Sequence, residues 1–237
     1  SKSDLIKTIC RHENSLFLID ELLKIPAKEL AELLIVGVPL KRNNLTNFLS
    51  NERFSLPPLY NFYFTRDASI SINNEVLISR MANRVRDLEG IIMEAIFKYS
   101  GEFKTSTINP LTFSCHENTT IEGGDVLIAR DDILLIGNSI RTTTHGIDFI
   151  LSRFVSKNDT KKRHIIVQEL PESPESFIHL DMVFTLLDVD KCMIFEPVIL
   201  RPNRFQTVQI TVQNGKVLDI KTVENMLSAL HQLGMDL

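Results

Sequence analysis

The stretch EGGDVLIARDDILLI (residues 122–136) carries the pattern that decides the fold. An aspartate closes a short polar segment and runs into an apolar strand, a polar turn follows, and a second apolar strand returns. The same order surrounds two other aspartates, at intervals of 58 and 56 residues (125 − 67 and 181 − 125). A fixed period indicates one supersecondary unit used repeatedly. The sequence therefore predicts equivalent strand ends that converge on a common centre, as in a site assembled from repeats.

Each repeat aspartate is followed by two predicted strands and a helix, and in the first two units a third strand follows the helix. The first strands are predicted at residues 69–72, 126–128 and 182–184, and the second strands at 76–78, 133–136 and 192–195. Helices are expected at 83–99, 144–155 and 223–233. Asn214-Gly215 is a strong signal for a two-residue hairpin turn after the strand at 208–212. About three such units predict an α/β fold of repeated ββαβ units.

The first 56 residues show a different pattern. Apolar residues between 16 and 34 recur at three- and four-residue steps, as they do on amphipathic helices. Pro26 is expected at the start of one helix and Gly37 at its end. The pair Pro57-Pro58 suppresses helix on both sides. The predicted domains are a small helical subdomain at residues 1–56 and an α/β domain of repeated units at 57–237, incomplete at both ends.

Composition narrows the class of protein. The chain has 237 residues, 43% hydrophobic and 24% charged, which is ordinary for a globular protein. A net charge of −4 without a basic stripe argues against a nucleic-acid partner. No apolar run reaches the roughly 18 residues of a transmembrane helix, so no membrane partner is expected. Three cysteines far apart in the sequence fit a reducing compartment, and the predicted location is cytoplasmic.

The repeat positions carry the candidate chemistry. Glu122 and Asp125 flank two glycines, which permit a tight turn and a close backbone approach. His179 and Asp181 would point to the same side of a predicted strand. Taken singly, these motifs suggest a strand-entry turn, a hydrogen-bonded core histidine and, for Asp67 with the arginine before it, a surface ion pair. Their equivalent places in the repeat favour a functional site instead.

Carboxylates with one histidine admit two chemistries. Oxygen ligands bind hard divalent cations, and planar carboxylates bind a guanidinium through bidentate, charge-assisted hydrogen bonds. Arg86 and Arg141 favour the second chemistry, because each follows a repeat aspartate by a similar distance, 19 and 16 residues (86 − 67 and 141 − 125). Arginines beside an acidic pocket suit a substrate with a cationic head and an anionic tail. Arginine itself fits that description.

At this point the chain resembles a known family, the arginine deiminases of the guanidino-group-modifying (pentein) superfamily. The helical stretch before Pro57 is similar to the helical insertion of that family. The resemblance implies a five-bladed α/β propeller, of which about three blades are present, and a natural protein that extends beyond this sequence at both ends. Four motifs in the order and spacing of the family carry the resemblance: NFYFTRD (61–67), IEGGD (121–125), SIRT (139–142) and HLD (179–181).

The resemblance also implies roles for individual residues, hydrolysis of L-arginine to L-citrulline and ammonia, and no cofactor or metal. L-arginine would be the small-molecule partner, and a homo-oligomer stays open. The implied roles are a guanidinium clamp by Asp67 and Asp181, proton transfer by Glu122 and His179, and binding of the α-carboxylate and neighbouring polar atoms by Asn61, Arg86 and Arg141.

The nucleophile is the point where the sequence departs from the family. There a cysteine thiolate in a glycine-rich segment close to the C-terminus attacks the guanidinium carbon, and nothing after His179 matches that segment. Cys10, Cys115 and Cys192 are not assigned to the role, so the nucleophile is expected outside this sequence. Two alternatives stay open: a non-catalytic or degenerate arginine-binding fragment, and another guanidino-modifying enzyme, an agmatine deiminase or an amidinotransferase. The helical insertion and the two arginines disfavour the last two.

Overall fold

The computed structural model describes residues 1–157 and 159–237 and confirms the α/β class. Helices occupy α1 (Lys2–His12), α2 (Ile19–Lys24), α3 (Ala27–Val36), α4 (Leu45–Leu49), α5 (Thr65–Ala68), α6 (Asp87–Tyr99), α7 (Thr144–Ser156), α8 (Glu196–Ile199) and α9 (Met226–Gln232). Strands occupy β1 (Val38–Pro39), β2 (Phe54–Leu56), β3 (Ser69–Ile72), β4 (Glu75–Ile78), β5 (Ser106–Ile108), β6 (Val126–Arg130), β7 (Ile133–Asn138), β8 (Arg163–Glu169), β9 (Phe184–Asp188), β10 (Lys191–Ile194), β11 (Thr207–Gln213) and β12 (Lys216–Val223).

The chain divides into two compact units. The first comprises Ser1–Thr65 and Asn83–Thr107, and the second comprises Arg66–Ala82 and Ile108–Leu237. Helix α6, which the repeat pattern placed in the first ββαβ unit, therefore groups with the N-terminal helices. The domain boundary predicted after residue 56 stays a prediction.

The first unit is mainly helical. Helix α3 follows Pro26 and is capped at its C-terminal end by Gly37, as the sequence predicted. Its buried side chains Leu30 and Leu34 join a core that also receives Ile6 and Ile9 from α1 and Leu88 from α6. The three-and-four spacing of the apolar residues therefore marks the buried faces of these helices.

The second unit is built on a five-stranded sheet in the order β12-β11-β8-β7-β6. Strand β7 is antiparallel to β6 and parallel to β8, with α7 as the crossover helix. The apolar run 133–136 in β7 is buried on both faces of this sheet. Leu134 and Ile136 face a core with Ile150 of α7, here called the α7 core. Ile133 and Leu135 face a core with Leu230 of α9, here called the α9 core.

The third predicted unit is divided between two sheets. Among the described residues, β9 and β10 form a two-stranded sheet, whereas β11 pairs with β8 of the second repeat and β12 extends the five-stranded sheet. The residue pattern within one strand does not indicate which distant strand it pairs with. The sequence repeat therefore could not predict this difference. The hairpin turn is confirmed, because Asn214 and Gly215 both have positive φ, 51° and 66°. The five-bladed arrangement stays a prediction.

Within residues 1–157 and 159–237, none of the helices combines the length and the hydrophobicity that a membrane crossing requires.

Candidate active site

The three repeat aspartates lie in single helical turns that lead into strands. Asp67 lies in α5 before β3, Asp125 closes the 3₁₀ turn Gly123–Asp125 before β6, and Asp181 lies in the 3₁₀ turn Leu180–Met182 before β9. The prediction that the HLD motif forms part of a strand was wrong. The amide of Val183 donates to the carbonyl of Leu180 and closes a turn, so the strand starts at Phe184.

The two glycines of the EGGD motif are explained by close packing. A Cβ on Gly123 would lie 1.9 Å from the backbone carbonyl oxygen of Arg66. A Cβ on Gly124 would lie 2.7 Å from Cγ of the His179 ring. Neither approach is possible for a residue with a side chain. The glycines therefore let three distant segments meet at one point, as the motif suggested.

Three of the predicted catalytic side chains converge. Nε2 of His179 lies 3.6 Å from Oε2 of Glu122 and 3.9 Å from Oδ1 of Asp67. Ligand atoms of all three residues lie within 4.8 Å of one another. Glu122 is fully buried, and its Oε1 accepts a hydrogen bond of 2.9 Å from the amide of Ala82. The cluster therefore places one imidazole against two carboxylates in a site screened from water.

Asp125 supports His179 from the opposite side of the ring. Its Oδ2 lies 3.4 Å from Nδ1 of His179 and accepts a 2.6 Å hydrogen bond from the hydroxyl of Ser139. Its Oδ1 accepts the amide of Leu180 at 2.9 Å. The sequence had marked Asp125 as a repeat aspartate and given it no role, although its equivalence with Asp67 and Asp181 was the available signal. The structure makes it the group that orients the imidazole.

The surroundings of His179 shift its pKa. Burial alone would lower the pKa of the imidazole, but the hydrogen bond that Nδ1 donates to Asp125 and the negative charges of Asp125, Asp67 and Glu122 outweigh it. The pKa of His179 is therefore raised above its ordinary value. A raised pKa favours the protonated imidazole, the form that can donate a proton from Nε2.

The pKa of His179 is open to measurement. We expect a titration of the imidazole followed by NMR to have its midpoint above about 6.5, the value of an unperturbed histidine, which the urea-unfolded chain supplies as a control. Because the raised pKa belongs to the folded state, the contribution of His179 to stability is complete below about pH 6.5. It is lost as the pH rises through the folded-state midpoint. A midpoint at or below that of the unfolded chain would contradict the assigned contacts.

Asp181 lies in the same unit but is held by an arginine. Nε of Arg66 donates to Oδ2 of Asp181 at 3.1 Å. An ion pair thus joins Arg66 to Asp181. Burial raises the pKa of Asp181, as does the carboxylate of Asp67, while Arg66 and His179 lower it; the net direction is upward. The charges of Asp67 and His179 in the cluster therefore also act on Asp181.

The predicted substrate arginines fall in different places. Nη1 of Arg141 lies 3.9 Å from Oε1 of Glu122, so Arg141 borders the cluster in the second unit. Arg86 is buried in the first unit, where its guanidinium donates to both carboxylate oxygens of Glu89. Asn61 also lies in the first unit, half-buried in a turn. The roles of Arg86 and Asn61 stay predictions.

The converging groups could also hold a divalent cation, since two carboxylates and an imidazole are suitable ligands. A histidine ligand has to be neutral, however, and the same carboxylates raise the pKa of His179. A cation would therefore compete with the proton on Nε2. This competition supports the interpretation of the cluster as a site for an organic cation such as a guanidinium. The absence of a metal stays a prediction.

The three cysteines do not join the cluster. Burial raises the pKa of Cys10 in α1 and of Cys192 in β10, which disfavours the thiolate in both. Sγ of Cys115 donates to the carbonyl of Pro110 at 3.3 Å. Within the described part of the chain, no cysteine is among the groups that converge with His179.

Comparison with known proteins gives the family. The family model described as "Arginine deiminase" matches residues 22–235. The chain belongs to the arginine deiminase family. It is 31% identical over 216 residues to an arginine deiminase of Staphylococcus haemolyticus, covering 89% of this chain and 52% of that protein. It is 30% identical to one of Staphylococcus aureus, covering 97% of this chain and 57% of that protein. The chain thus spans about half the length of the curated relatives it matches.

Solved structures give weaker likenesses. A cyanobacterial arginine dihydrolase, ArgZ, bound to its substrate matches at a TM-score of 0.47 and 21% identity, covering 60% of this chain and 47% of that one. A dimethylarginine dimethylaminohydrolase from Pseudomonas aeruginosa complexed with citrulline matches at 0.44 and 20% identity, covering 59% and 49%. The family assignment rests on the sequence matches alone.

Proposed function

We propose that this chain is part of a cytoplasmic arginine deiminase, a cofactor-free hydrolase that converts L-arginine to L-citrulline and ammonia. The convergence of Asp67, Glu122 and His179 carries the proposal, because it places a proton donor between carboxylates that suit a guanidinium. Membership of the arginine deiminase family supports the choice of substrate. The extension from family to activity belongs to the proposal, because the chain spans about half the length of the curated relatives it matches.

The substrate guanidinium would bind through Asp67 and Asp181. A guanidinium presents its N–H donors in a plane, so two carboxylates can fix its orientation and its charge together. In this structure the carboxylate of Asp181 is already paired with a cation, because Nε of Arg66 donates to its Oδ2 at 3.1 Å. The substrate would therefore replace Arg66, whose side chain is half exposed, as the cationic partner of Asp181.

Proton transfer would fall to His179 with Glu122. A thiolate attacks the guanidinium carbon and forms a C–S bond, the C–N bond breaks, and the departing nitrogen leaves as ammonia after taking the proton on Nε2 of His179. The neutral imidazole then takes a proton from water, whose oxygen attacks the amidino-thioether carbon. Breaking of the C–S bond releases citrulline and restores the thiolate. Asp125 would hold the ring at Nδ1 through both steps.

The thiolate of this scheme would come from outside the present sequence. Cys10 and Cys192 are disfavoured by burial, and Cys115 donates to a backbone carbonyl. The test is a citrulline assay on the longest natural protein that contains this sequence, before and after dialysis against a chelator. Arginine-dependent citrulline that survives the chelator is the expected result. No citrulline would refute the activity, and loss restored only by a divalent ion would favour a metal-dependent hydrolase.

Arg141 gives a second test in the same protein. The change Arg141→Ala is expected to raise KM for arginine by about 10- to 100-fold, because a charge-assisted contact to the α-carboxylate would be lost in ground and transition states alike. Selectivity for arginine over agmatine, which lacks that carboxylate, should fall with it. Turnover of both substrates measures the effect, and Arg201→Ala, which breaks an exposed ion pair with Glu196, is the control. Unchanged selectivity would mean that Arg141 is not the carboxylate anchor.

A second candidate function follows from the absence of a cysteine in the cluster. The described chain would then bind arginine without turning it over, as a non-catalytic or degenerate fragment of such an enzyme. Calorimetry of the 237-residue chain with arginine, and with citrulline as the uncharged comparison, separates the two functions. Binding of arginine alone, with no citrulline formed by the longest natural protein, would favour the binding function.

A further inference from the structure

The SIRT motif (139–142) forms a turn directly after β7, and its side chains reach two different parts of the site. The amide of Ser139 donates to the carbonyl of Thr142 at 2.9 Å and closes the turn. Arg141 extends from the turn toward the cluster, and the hydroxyl of Ser139 donates to Oδ2 of Asp125. The arginine of this motif has a role in the proposed reaction, whereas the serine has none.

The hydrogen bonds of the Ser139 hydroxyl fix the direction of its proton. A hydroxyl has one hydrogen to donate and two lone pairs that accept. The oxygen of Ser139 accepts the amide of Arg141 at 2.9 Å and the amide of Thr142 at 3.1 Å. Since both lone pairs are used, the hydrogen is left for Oδ2 of Asp125, at 2.6 Å. That distance is typical of a charge-assisted bond from a hydroxyl to a carboxylate.

The carboxylate of Asp125 is held at both of its oxygens. Its Oδ1 accepts the amide of Leu180 at 2.9 Å, and a Cβ on Gly137 would lie 2.5 Å from the same oxygen. Its Oδ2 is shared, because Ser139 donates to it at 2.6 Å and Nδ1 of His179 lies 3.4 Å away. The hydroxyl is the nearer donor. It therefore determines where Oδ2 lies relative to the imidazole and takes up part of the negative charge that would otherwise act on Nδ1.

We propose that Ser139 is a positioning residue whose single hydroxyl links Arg141 to Asp125. Through the backbone of the turn it would hold Arg141 where the α-carboxylate of the substrate binds. Through Asp125 it would hold His179 where the proton is transferred. The two ends of one substrate are then aligned by one side chain that does not react. The kinetic part of this inference rests on the proposed function, whereas the contact between Ser139 and Asp125 is testable without turnover.

Titration of His179 followed by NMR tests the contact in the 237-residue chain. Ser139→Ala removes the donor that shares Oδ2, so more of the charge of Asp125 acts on Nδ1. The midpoint is expected to rise by about 0.5 to 1 pH unit. The other carboxylates that face the imidazole, Asp67 and Glu122, are present in both proteins and do not contribute to the difference.

Two further variants make the titration decisive. Ser139→Thr keeps a hydroxyl and should titrate like the parent. Ser139→Cys replaces the hydroxyl by a weaker donor and should raise the midpoint in the same direction, which serves if the alanine variant does not fold. An unchanged or lowered midpoint in Ser139→Ala, or in Ser139→Cys where that variant stands in for it, would overturn the inference, whether or not the longest natural protein forms citrulline.

Steady-state kinetics of the longest natural protein test the link. Ser139→Ala is expected to raise KM for arginine and to lower kcat, each by about 10- to 100-fold, because Arg141 and Asp125 lose the same partner. Double variants separate the two effects. In the Arg141→Ala background, Ser139→Ala should lower kcat without a further rise in KM. In the Asp125→Asn background it should raise KM without a further fall in kcat.

The matched control is Ser152→Ala, which removes a hydroxyl that donates to the carbonyl of Phe149 within α7. It should alter neither kinetic constant nor the midpoint of His179. A structural role for Ser139 would lower the melting temperature and the fraction of active enzyme but leave KM and the midpoint unchanged. That result, or additive effects in both double variants, would overturn the link. A parent without citrulline formation would refute the proposed function alone, since the titration still decides the contact.

Discussion

Replacement of His179 by alanine in the longest natural protein is expected to lower kcat by about 10² to 10⁴-fold, with a much smaller change in KM. The imidazole is the proton donor of the proposed step. Its Nε2 lies 3.6 Å from Oε2 of Glu122, and the carboxylates of Asp125, Asp67 and Glu122 raise its pKa although burial lowers it. Its loss removes proton transfer in the transition state while the carboxylates that would bind the guanidinium remain. Steady-state citrulline formation measures both constants.

The matched control is His231→Ala, which removes an exposed histidine from α9. It should leave kcat unchanged, and circular dichroism should show the same fold for both variants. A His179→Ala protein with kcat close to that of the parent would assign the proton transfer to another group. Glu122, whose carboxylate is 3.6 Å away, would be the first residue to consider.

The change Asp125→Asn is expected to lower kcat by about 10² to 10⁴-fold although Asp125 would not touch the substrate. The carboxylate orients His179 through Nδ1 and favours its charged form. An amide of the same shape keeps an oxygen for the amide of Leu180 but removes the negative charge. The pKa of His179 should fall, and the pH profile of kcat should move to lower pH with it.

These readouts distinguish a positioning role from a structural one. A mere loss of packing would lower the melting temperature and leave the titration midpoint of His179 unchanged. Asp190→Asn, in an exposed turn, makes the same chemical change away from the site and should alter neither the pH profile nor kcat. A parent-like midpoint for His179 in Asp125→Asn would contradict the proposed role.

The local elements were predictable from the sequence because their signals are local. The apolar run 133–136 gives β7, Asn214-Gly215 gives the hairpin turn, and α7 begins after Thr143, whose hydroxyl caps the amide of Gly146. Each of these depends on neighbours within a few residues. The repeat also located the acidic residues at strand entries correctly, which is why three of the predicted catalytic groups meet.

The remainder of the site depends on contacts between distant residues. His179 and Asp125 are separated by 54 residues and Arg66 and Asp181 by 115 residues, and nothing in either neighbourhood specifies the partner. The helical turn at the HLD motif was mistaken for a strand because three residues are too few for either periodicity to show. The pairing of β11 with β8 rather than with β10 is likewise decided by packing across the sheet.

The two cores on either face of the sheet have a consequence for engineering this protein. Glu122 directly follows Ile121, which is wholly buried in the α7 core, and His179 directly precedes Leu180, which is wholly buried in the α9 core. The distance between Glu122 and His179 thus depends on how the α7 core and the α9 core pack on the two faces of β7. Redesign of either layer for heat resistance is expected to alter turnover, so thermostable variants have to be selected for rate and melting temperature together.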